Sequence, residues 1–325
     1  MNYRTPPKYH FATKKGWIND PNGLVYYKGY YHIFYQHSPN FEKPWNESMH
    51  WGHARTKDFL NFEELPVALF PDKPYDKDGC WSGTAIVEDD TLFLFYASIH
   101  DGVQSVSVAY STDGINFEKY ENNPILKPNP ANQWEERCVL NPAVIYDEEN
   151  EEFVMLYRAA GNDVRHQIKL GLATSKDGIN FTPDPEPAPW PAPDPTHPET
   201  CTYDPRITKI GDEYIILYAS DLSQNQVRVG ILRTKDFKSF ERVAIGSDLG
   251  NRNGCLFPEK IGGYYYRLER PFPVYSRGRD RFDTWISQSP DLKFWGNNKL
   301  VLGVENVPFA NDKVGPAAPP IKTEK

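Results

Sequence analysis

Ser175-Lys176-Asp177-Gly178, closed by Phe181, decides the fold because it is one of five copies. The others are Thr56-Lys57-Asp58-Phe59 closed by Phe62, Ser111-Thr112-Asp113-Gly114 closed by Phe117, Thr234-Lys235-Asp236-Phe237 closed by Phe240, and Ser289-Pro290-Asp291-Leu292 followed by Phe294-Trp295. Their aspartates recur at intervals of 55, 64, 59 and 55 residues. Each copy is a polar turn with an Asp acceptor followed by an aromatic residue, the chemistry of a tight connection between strands. A second element lies upstream of each turn: Asp20-Pro21, Ser82-Gly83, Asn141-Pro142, Asp204-Pro205 and Phe257-Pro258, each leading into an apolar run. Between the two comes an aromatic strand: Ile33-Phe34-Tyr35, Leu94-Phe95-Tyr96, Met155-Leu156-Tyr157, Ile216-Leu217-Tyr218 and Tyr264-Tyr265-Tyr266. Short strands, polar turns and a long fixed period predict an all-β chain, a five-bladed β-propeller. Five periods account for residues 1–325 as a single domain.

The composition agrees. Apolar residues make up 39% of the 325, but aromatics reach 14%, so the core is expected to be aromatic and β-rich. No run approaches the ~18 apolar residues of a membrane span. With 36 basic against 44 acidic residues the net charge is −8, which argues against nucleic-acid and anionic-membrane partners. The stretch Met1-Asn2-Tyr3-Arg4-Thr5 has no apolar segment after it, so a cytoplasmic setting is expected. Cys80, Cys138, Cys201 and Cys255 are too few for a disulfide scaffold and are expected to be free thiols. No dense acidic loop or His/Cys cluster has metal spacing, so neither a metal nor a cofactor is expected. Residues 183–198 carry eight prolines and are expected to form an extended loop. The stretch Gly315-Pro316-Ala317-Ala318-Pro319-Pro320-Ile321-Lys322 looks like the start of a sixth inner strand.

In a propeller the inner strands converge on the axis, and the equivalent positions here are Asp20, Ser82, Asn141, Asp204 and Phe257. Two carboxylates in that ring supply what glycoside hydrolysis needs, an acid for the leaving oxygen and a base or nucleophile. An Asp before Pro is also an ordinary turn cap. Trp17, Trp45, Trp51 and Trp81 fall around the first two inner strands, where they either stack on a sugar ring or fill space between blades. Asn19, Gln36, His53 and Ser82 offer hydrogen-bonding groups beside them.

These residues carry a resemblance. Trp17-Ile18-Asn19-Asp20-Pro21-Asn22-Gly23, Phe34-Tyr35-Gln36, His50-Trp51-Gly52-His53-Ala54 and Cys80-Trp81-Ser82-Gly83-Thr84-Ala85 resemble family-32 glycoside hydrolases, the invertases, levanases and inulinases. The resemblance implies Asp20 as nucleophile, with Asn19, Gln36, Trp45, Trp51 and Ser82 around a fructosyl unit. From about residue 120 the motifs change. Asn141-Pro142-Ala143-Val144, Leu156-Tyr157-Arg158-Ala159, Tyr203-Asp204-Pro205-Arg206, Leu256-Phe257-Pro258-Glu259-Lys260 and residues 315–322 resemble family-130 β-mannoside phosphorylases and mannosidases. That resemblance implies Asp204 as general acid, with Arg158, Arg206, Lys260 and Arg270 near a phosphate or sugar. Residues 1–118 thus read as two family-32-like blades, 119–302 as three family-130-like blades, and 303–325 as a closing segment or a truncated remnant, the whole being a natural mosaic or a chimera.

Both patterns have gaps. The position of the family-32 transition-state Asp is occupied by Asn141, and that of its acid/base Glu by Tyr203. A phosphate-binding His of the second family is replaced by Glu269 before Arg270-Pro271. Three functions follow in order: a glycosidase acting on a small saccharide through Asp20 and Asp204, a mannoside phosphorylase with Asp204 as sole acid and phosphate as co-substrate, and a non-catalytic sugar-binding propeller. For the second, Arg267, Arg270, Arg277, Arg279 and Arg281 are the candidate anion ligands.

Overall fold

In a computed structural model of the chain, residues 11–41, 48–162, 168–192, 195, 198–222, 226–245, 250–273, 281–307, 310 and 313–323 are described. The chain is all-β, and its strands form five four-stranded antiparallel sheets, the blades of a five-bladed β-propeller. Blade 1 holds β1 (Trp17–Tyr27), β2 (Tyr30–Ser38), β3 (His50–Thr56) and β4 (Phe62–Leu69). Blade 2 holds β5 (Gly79–Glu88), β6 (Thr91–His100), β7 (Val103–Ser111) and β8 (Glu118–Lys119). Blade 3 holds β9 (Cys138–Asp147), β10 (Glu152–Ala160), β11 (Ile168–Ser175) and β12 (Thr182–Pro183). Blade 4 holds β13 (Glu199–Ile210), β14 (Glu213–Leu222), β15 (Gln226–Thr234) and β16 (Glu241–Ile245). Blade 5 holds β17 (Asn251–Leu256), β18 (Tyr265–Pro271), β19 (Thr284–Ser289) and β20 (Gly296–Leu302). Each sheet is a simple meander in chain order. Two compact units divide the described residues, one ending at Ala188 with blades 1–3 and one beginning at Pro189 with blades 4–5.

The repeated turn joins the third and fourth strands of every blade. In blade 3, Ser175 Oγ accepts the N–H groups of Asp177 (3.3 Å) and Gly178 (3.1 Å). Asp177 Oδ1 accepts those of Ile179 (2.9 Å) and Asn180 (2.7 Å). The same bonds recur around Asp58, Asp113, Asp236 and Asp291. The residue after each Asp is left-handed, with φ between 55° and 75° at Phe59, Gly114, Gly178, Phe237 and Leu292. Local side-chain acceptors therefore fix the turn independently of the rest of the sheet.

The second strands carry the core. Phe34, Leu94, Phe95, Tyr96, Met155, Leu156 and Tyr157 are completely buried, each apolar side chain contributing about 1.5–3 kcal/mol. In four blades the tyrosine that ends the aromatic motif lies across from a residue with little or no side chain: Tyr35 pairs with Gly52, Tyr96 with Ser107, Tyr157 with Gly171 and Tyr218 with Gly230, whereas Tyr266 in blade 5 faces Gln288. Three of the hydroxyls then reach an acid placed at the start of the inner strand or three residues before it. Tyr96 donates to Asp76 (3.0 Å), Tyr157 to Glu135 (2.9 Å) and Tyr218 to Glu199 (2.7 Å). Burial raises the pKa of the Tyr157 phenol well above its ordinary value, with the Glu135 carboxylate adding to it. A Cβ at residue 171 would fall 2.1 Å from Tyr157 Cζ. Gly171→Ala is therefore expected to cost about 2–4 kcal/mol in urea unfolding, through overpacking and loss of the Tyr157–Glu135 bond. Gly296→Ala, where nothing lies within 4 Å of the added atom, is the matched control.

The four cysteines are free thiols. Pro183 ends β12, and the described residues of the proline-rich stretch after it, 184–192, 195 and 198, form no strand, as expected of a loop; residues 193, 194, 196 and 197 lie outside the described set. Residues 315–322 do not form a sixth strand; they lie without regular structure against blades 4 and 5. Among the described residues no helix is long and apolar enough to cross a membrane.

Candidate active site

Each inner strand carries a β-bulge, in blades 1–4 at the position the sequence singles out. Two residues of the inner strand oppose one of the second strand: Asn19-Asp20 against Gln36, Trp81-Ser82 against Ala97, Asn141-Pro142 against Tyr157, and Asp204-Pro205 against Tyr218. In blade 5 the pair is Asn253-Gly254 against Glu269. Phe257 is therefore not the fifth ring residue; it follows the end of β17 (Asn251–Leu256), and Asn253 takes the place. The Phe257-Pro258 dipeptide imitates Asp204-Pro205 in sequence, but the bulge is set by pairing with β18. Asn141, Asp204 and Asn253 all have positive φ, 48°, 52° and 62°. Asn and Asp tolerate this left-handed conformation better than other side-chain-bearing residues, so the bulge alone already selects them. Asp20 and Ser82 do not have positive φ, and they sit opposite the residue after the second-strand tyrosine, Gln36 after Tyr35 and Ala97 after Tyr96, rather than opposite the tyrosine itself. A bulge re-aims side chains, and in blades 1 and 2 it brings four of the predicted residues together.

Those four form a directed chain of hydrogen bonds. Asn19 Nδ2 donates to Gln36 Oε1 (3.1 Å), Gln36 Nε2 donates to Ser82 Oγ (2.9 Å), and Ser82 Oγ donates to Asp20 Oδ2 (3.2 Å). Gln36 is 2% exposed and anchors the chain, while Asp20 is exposed. One carboxylate oxygen is thus held, and Asp20 Oδ1 has no hydrogen-bond partner among the described residues. A carboxylate fixed at one oxygen and open at the other suits a nucleophile or base. Asn22, two residues on, is 5% exposed, and its Nδ2 has no partner among the described residues.

The tryptophans divide. Trp51 is wholly buried and its Nε1 donates to the Trp81 carbonyl (2.9 Å), so it is a core residue, not a sugar platform. Trp81 is half-buried beside Ser82 and keeps part of its surface accessible. Trp17 opens β1, its carbonyl facing His37 Nδ1 (3.0 Å). Trp45 lies outside the described residues. His53 is also not at the site: it is fully buried, 2.9 Å from His32.

In blades 4 and 5 the predicted residues are less concentrated. Tyr203 is 8% exposed, and its hydroxyl donates to Asp221 (3.1 Å). Burial, with the Asp221 carboxylate, pushes that phenol up to about 12. Asp221 is a carboxylate that sequence reasoning missed, because it follows an aromatic strand rather than a ring motif. Asp204 is half-buried. Arg206 does not point to an open site: Nε donates to the Ala317 carbonyl (2.5 Å) and Nη1 to the Asp204 carbonyl (3.2 Å). Lys260 is exposed beyond the far end of β17, with Nζ 4.3 Å from the Tyr265 ring centroid. Arg270 is 8% exposed and lies over Phe282 (5.8 Å). Arg158 and Asn141 are half-buried on neighbouring strands of blade 3. Arg267 is buried in an ion pair with Glu269 (2.8 Å), which Asn251 also contacts (3.0 Å). Arg277 and Arg279 lie outside the described residues. Ligand-type atoms of Asp78, His100 and Asp101 come within 4.8 Å of one another at the end of blade 2, a juxtaposition that sequence spacing does not reveal.

Two families match, each over more than half of the chain. Residues 10–190 match the glycosyl hydrolases family 32 N-terminal domain, and residues 116–325 match beta-1,4-mannooligosaccharide phosphorylase. The chain belongs to both families. The matches overlap in blade 3, next to the place where the inner-strand bulge changes from the Asp20 type to the Asp204 type. The chain is 39% identical to the levanase of Bacillus subtilis (strain 168) over 170 residues, 49% of this chain and 24% of the levanase. It is 44% identical to a sucrose-6-phosphate hydrolase of Zymomonas mobilis over 121 residues, 35% of this chain and 23% of that protein. The chain therefore spans about a quarter of the length of these relatives. Among solved structures it resembles a Bombyx mori GH32 beta-fructofuranosidase with a TM-score of 0.57 and 25% identity, covering 88% of this chain and 63% of that one. It shares the fold of the Lactobacillus gasseri sucrose-6-phosphate hydrolase at a TM-score of 0.62 and 18% identity, over 87% and 63% of the two chains.

Proposed function

We propose that the chain hydrolyses a glycosidic bond of a small fructosyl-containing saccharide, with Asp20 as the nucleophile. The observation that carries this reading is the Asn19–Gln36–Ser82–Asp20 chain, which orients one carboxylate oxygen and leaves the other open. In a retaining reaction Asp20 Oδ1 attacks the anomeric carbon, the leaving oxygen takes a proton from an acid, and water then releases the sugar from the ester. Asp204 is the proposed acid, on the strength of its place in the sequence pattern. The names of the matched relatives, levanase and sucrose-6-phosphate hydrolase, support a fructosyl substrate.

A second reading, phosphorolysis of a β-mannoside with Asp204 as sole acid, is favoured by the match of residues 116–325 to beta-1,4-mannooligosaccharide phosphorylase. Against it, Arg206 and Arg267 are engaged within their own unit, and the anion Glu269 stands beside Arg270. Product analysis on sucrose, levan oligosaccharides and β-1,4-mannobiose, with and without phosphate, separates the two. Free fructose at a rate indifferent to phosphate is expected. Mannose 1-phosphate formed only with phosphate would establish the second reading, and binding without turnover would reduce the chain to a sugar-binding propeller.

A further inference from the structure

The second unit contains a segment whose contacts have no part in the blade repeat. Residues 313–323 begin on Phe282, where Val314 N–H donates to the Phe282 carbonyl (2.8 Å) and Lys313 bridges to Phe282. They then run along β17. Asn253 Nδ2 donates to the Pro316 carbonyl (3.3 Å), Cys255 Sγ to the Ala317 carbonyl (3.3 Å), and Lys322 pairs with Glu259 (2.7 Å). Three prolines among residues 315–321 remove backbone donors and leave carbonyls to accept. Such a segment can be held by side chains without joining a sheet.

Arg206 is where this segment meets the bulge of blade 4. Its Nε donates to Ala317 and its Nη1 to the carbonyl of Asp204, the residue with φ of 52°. A guanidinium has donors in fixed, divergent directions, so one side chain ties the Asp204 backbone to the segment. The neighbouring bulge residue Asn253, φ 62°, is tied to the adjacent carbonyl in the same way. Left-handed non-glycine residues persist only where their surroundings hold them.

We propose that Arg206 is a positioning residue for Asp204, braced by residues 313–323, and not a ligand of phosphate or sugar. The inference rests on the reading of Asp204 as the acid. The brace fixes the peptide on the C-terminal side of Asp204 and hence the direction in which its carboxyl leaves the chain.

Arg206→Met is expected to lower kcat about 10–100-fold with KM and phosphate dependence unchanged, as a displaced catalytic group does. Arg206→Lys, a point charge without the fork, is expected to restore only part of it. Native-state alkylation of Cys255, a fully buried thiol covered by Ala317, and amide exchange at Tyr203, Asp204 and Arg206 are expected to rise in step, because both report release of the segment. Gly315→Val acts without touching Arg206: a Cβ there would lie 2.7 Å from Arg270 Cδ, so the segment is pushed away and the same three changes should follow. A higher KM or altered phosphate dependence with kcat retained would make Arg206 a ligand and overturn the proposal. Unchanged Cys255 alkylation and exchange in both variants would also overturn it. If Asp204→Asn keeps full turnover, the acid reading falls on that result alone, while the brace is still judged by alkylation and exchange.

Discussion

Asp20→Asn is expected to lower turnover of a fructosyl substrate by about 10³-fold or more while the protein stays folded. The substitution keeps size and shape, and the Ser82 hydroxyl can still donate to the amide oxygen. What is lost is the charge and the nucleophilic oxygen, so the effect belongs to kcat and not to KM. Asp20 is exposed and makes only this one bond among the described residues, so unfolding in urea should be little changed. Ser82→Ala is the graded companion. It leaves the carboxylate but frees its orientation, and about a ten-fold loss is expected from misplacement alone. Equal activity of Asp20→Asn and the parent protein would leave only the single-acid phosphorylase reading.

The second large effect concerns stability in acid. His32 and His53 lie on adjacent strands of blade 1, 2% and 0% exposed, with Nδ1 of the first 2.9 Å from Nε2 of the second. The ring tautomers decide which of the two nitrogens donates in that bond, and His53 Nδ1 is buried with no partner among the described residues. Burial lowers His32 to about 4, with nearby Arg55 adding to it, and lowers His53 to about 3, with His32 and Arg55 adding. Both groups are neutral when folded and gain protons on unfolding below about pH 6.5. Their contribution is therefore fully present above that pH and is lost as pH falls towards 4 and 3. Between pH 7 and pH 4.5 the pair is expected to remove on the order of 5 kcal/mol of unfolding free energy. The double variant His32→Leu/His53→Leu should show a correspondingly flatter pH dependence in urea titrations. An equally steep fall in that variant would assign the acid sensitivity to other groups.

How much of this was legible in the sequence follows from which interactions are local. The five turns were, because Ser175 and Asp177 bond to backbone only two or three residues away, and any chain with that spacing forms the same turn. The clustering around Asp20 was largely legible too, since Gln36 is brought to Asn19 by the pairing of β1 with β2, and Ser82 comes from the equivalent bulge of blade 2. Position within blade 5 was not: the Pro258 cue mimicked the Pro205 one, and only pairing to β18 shows that Asn253 carries the bulge. Four tryptophans close in sequence leave a sugar platform and space-filling equally open, and for Trp51 the structure shows space-filling, because β3 is buried continuously from Trp51 to Ala54. The acids Asp76, Glu135 and Glu199 look like solvated loop charges in the sequence. Their burial depends on tyrosines about 20 residues later, a contact that no local pattern announces. The resemblance implies a place for Arg206 near a phosphate or sugar, and its hydrogen-bond partner Ala317, 111 residues away, is not announced by any local pattern.

The central claim, that Asp20 is the nucleophile, is tested most directly by trapping the intermediate. The protein is mixed with a fluorinated fructosyl substrate that has a good leaving group, quenched in acid, digested and analysed by mass spectrometry. A covalent sugar ester on the peptide containing Asp20, absent from Asp20→Asn, is the predicted result. Turnover of the parent substrate with no adduct, or an adduct on another carboxylate, would contradict it.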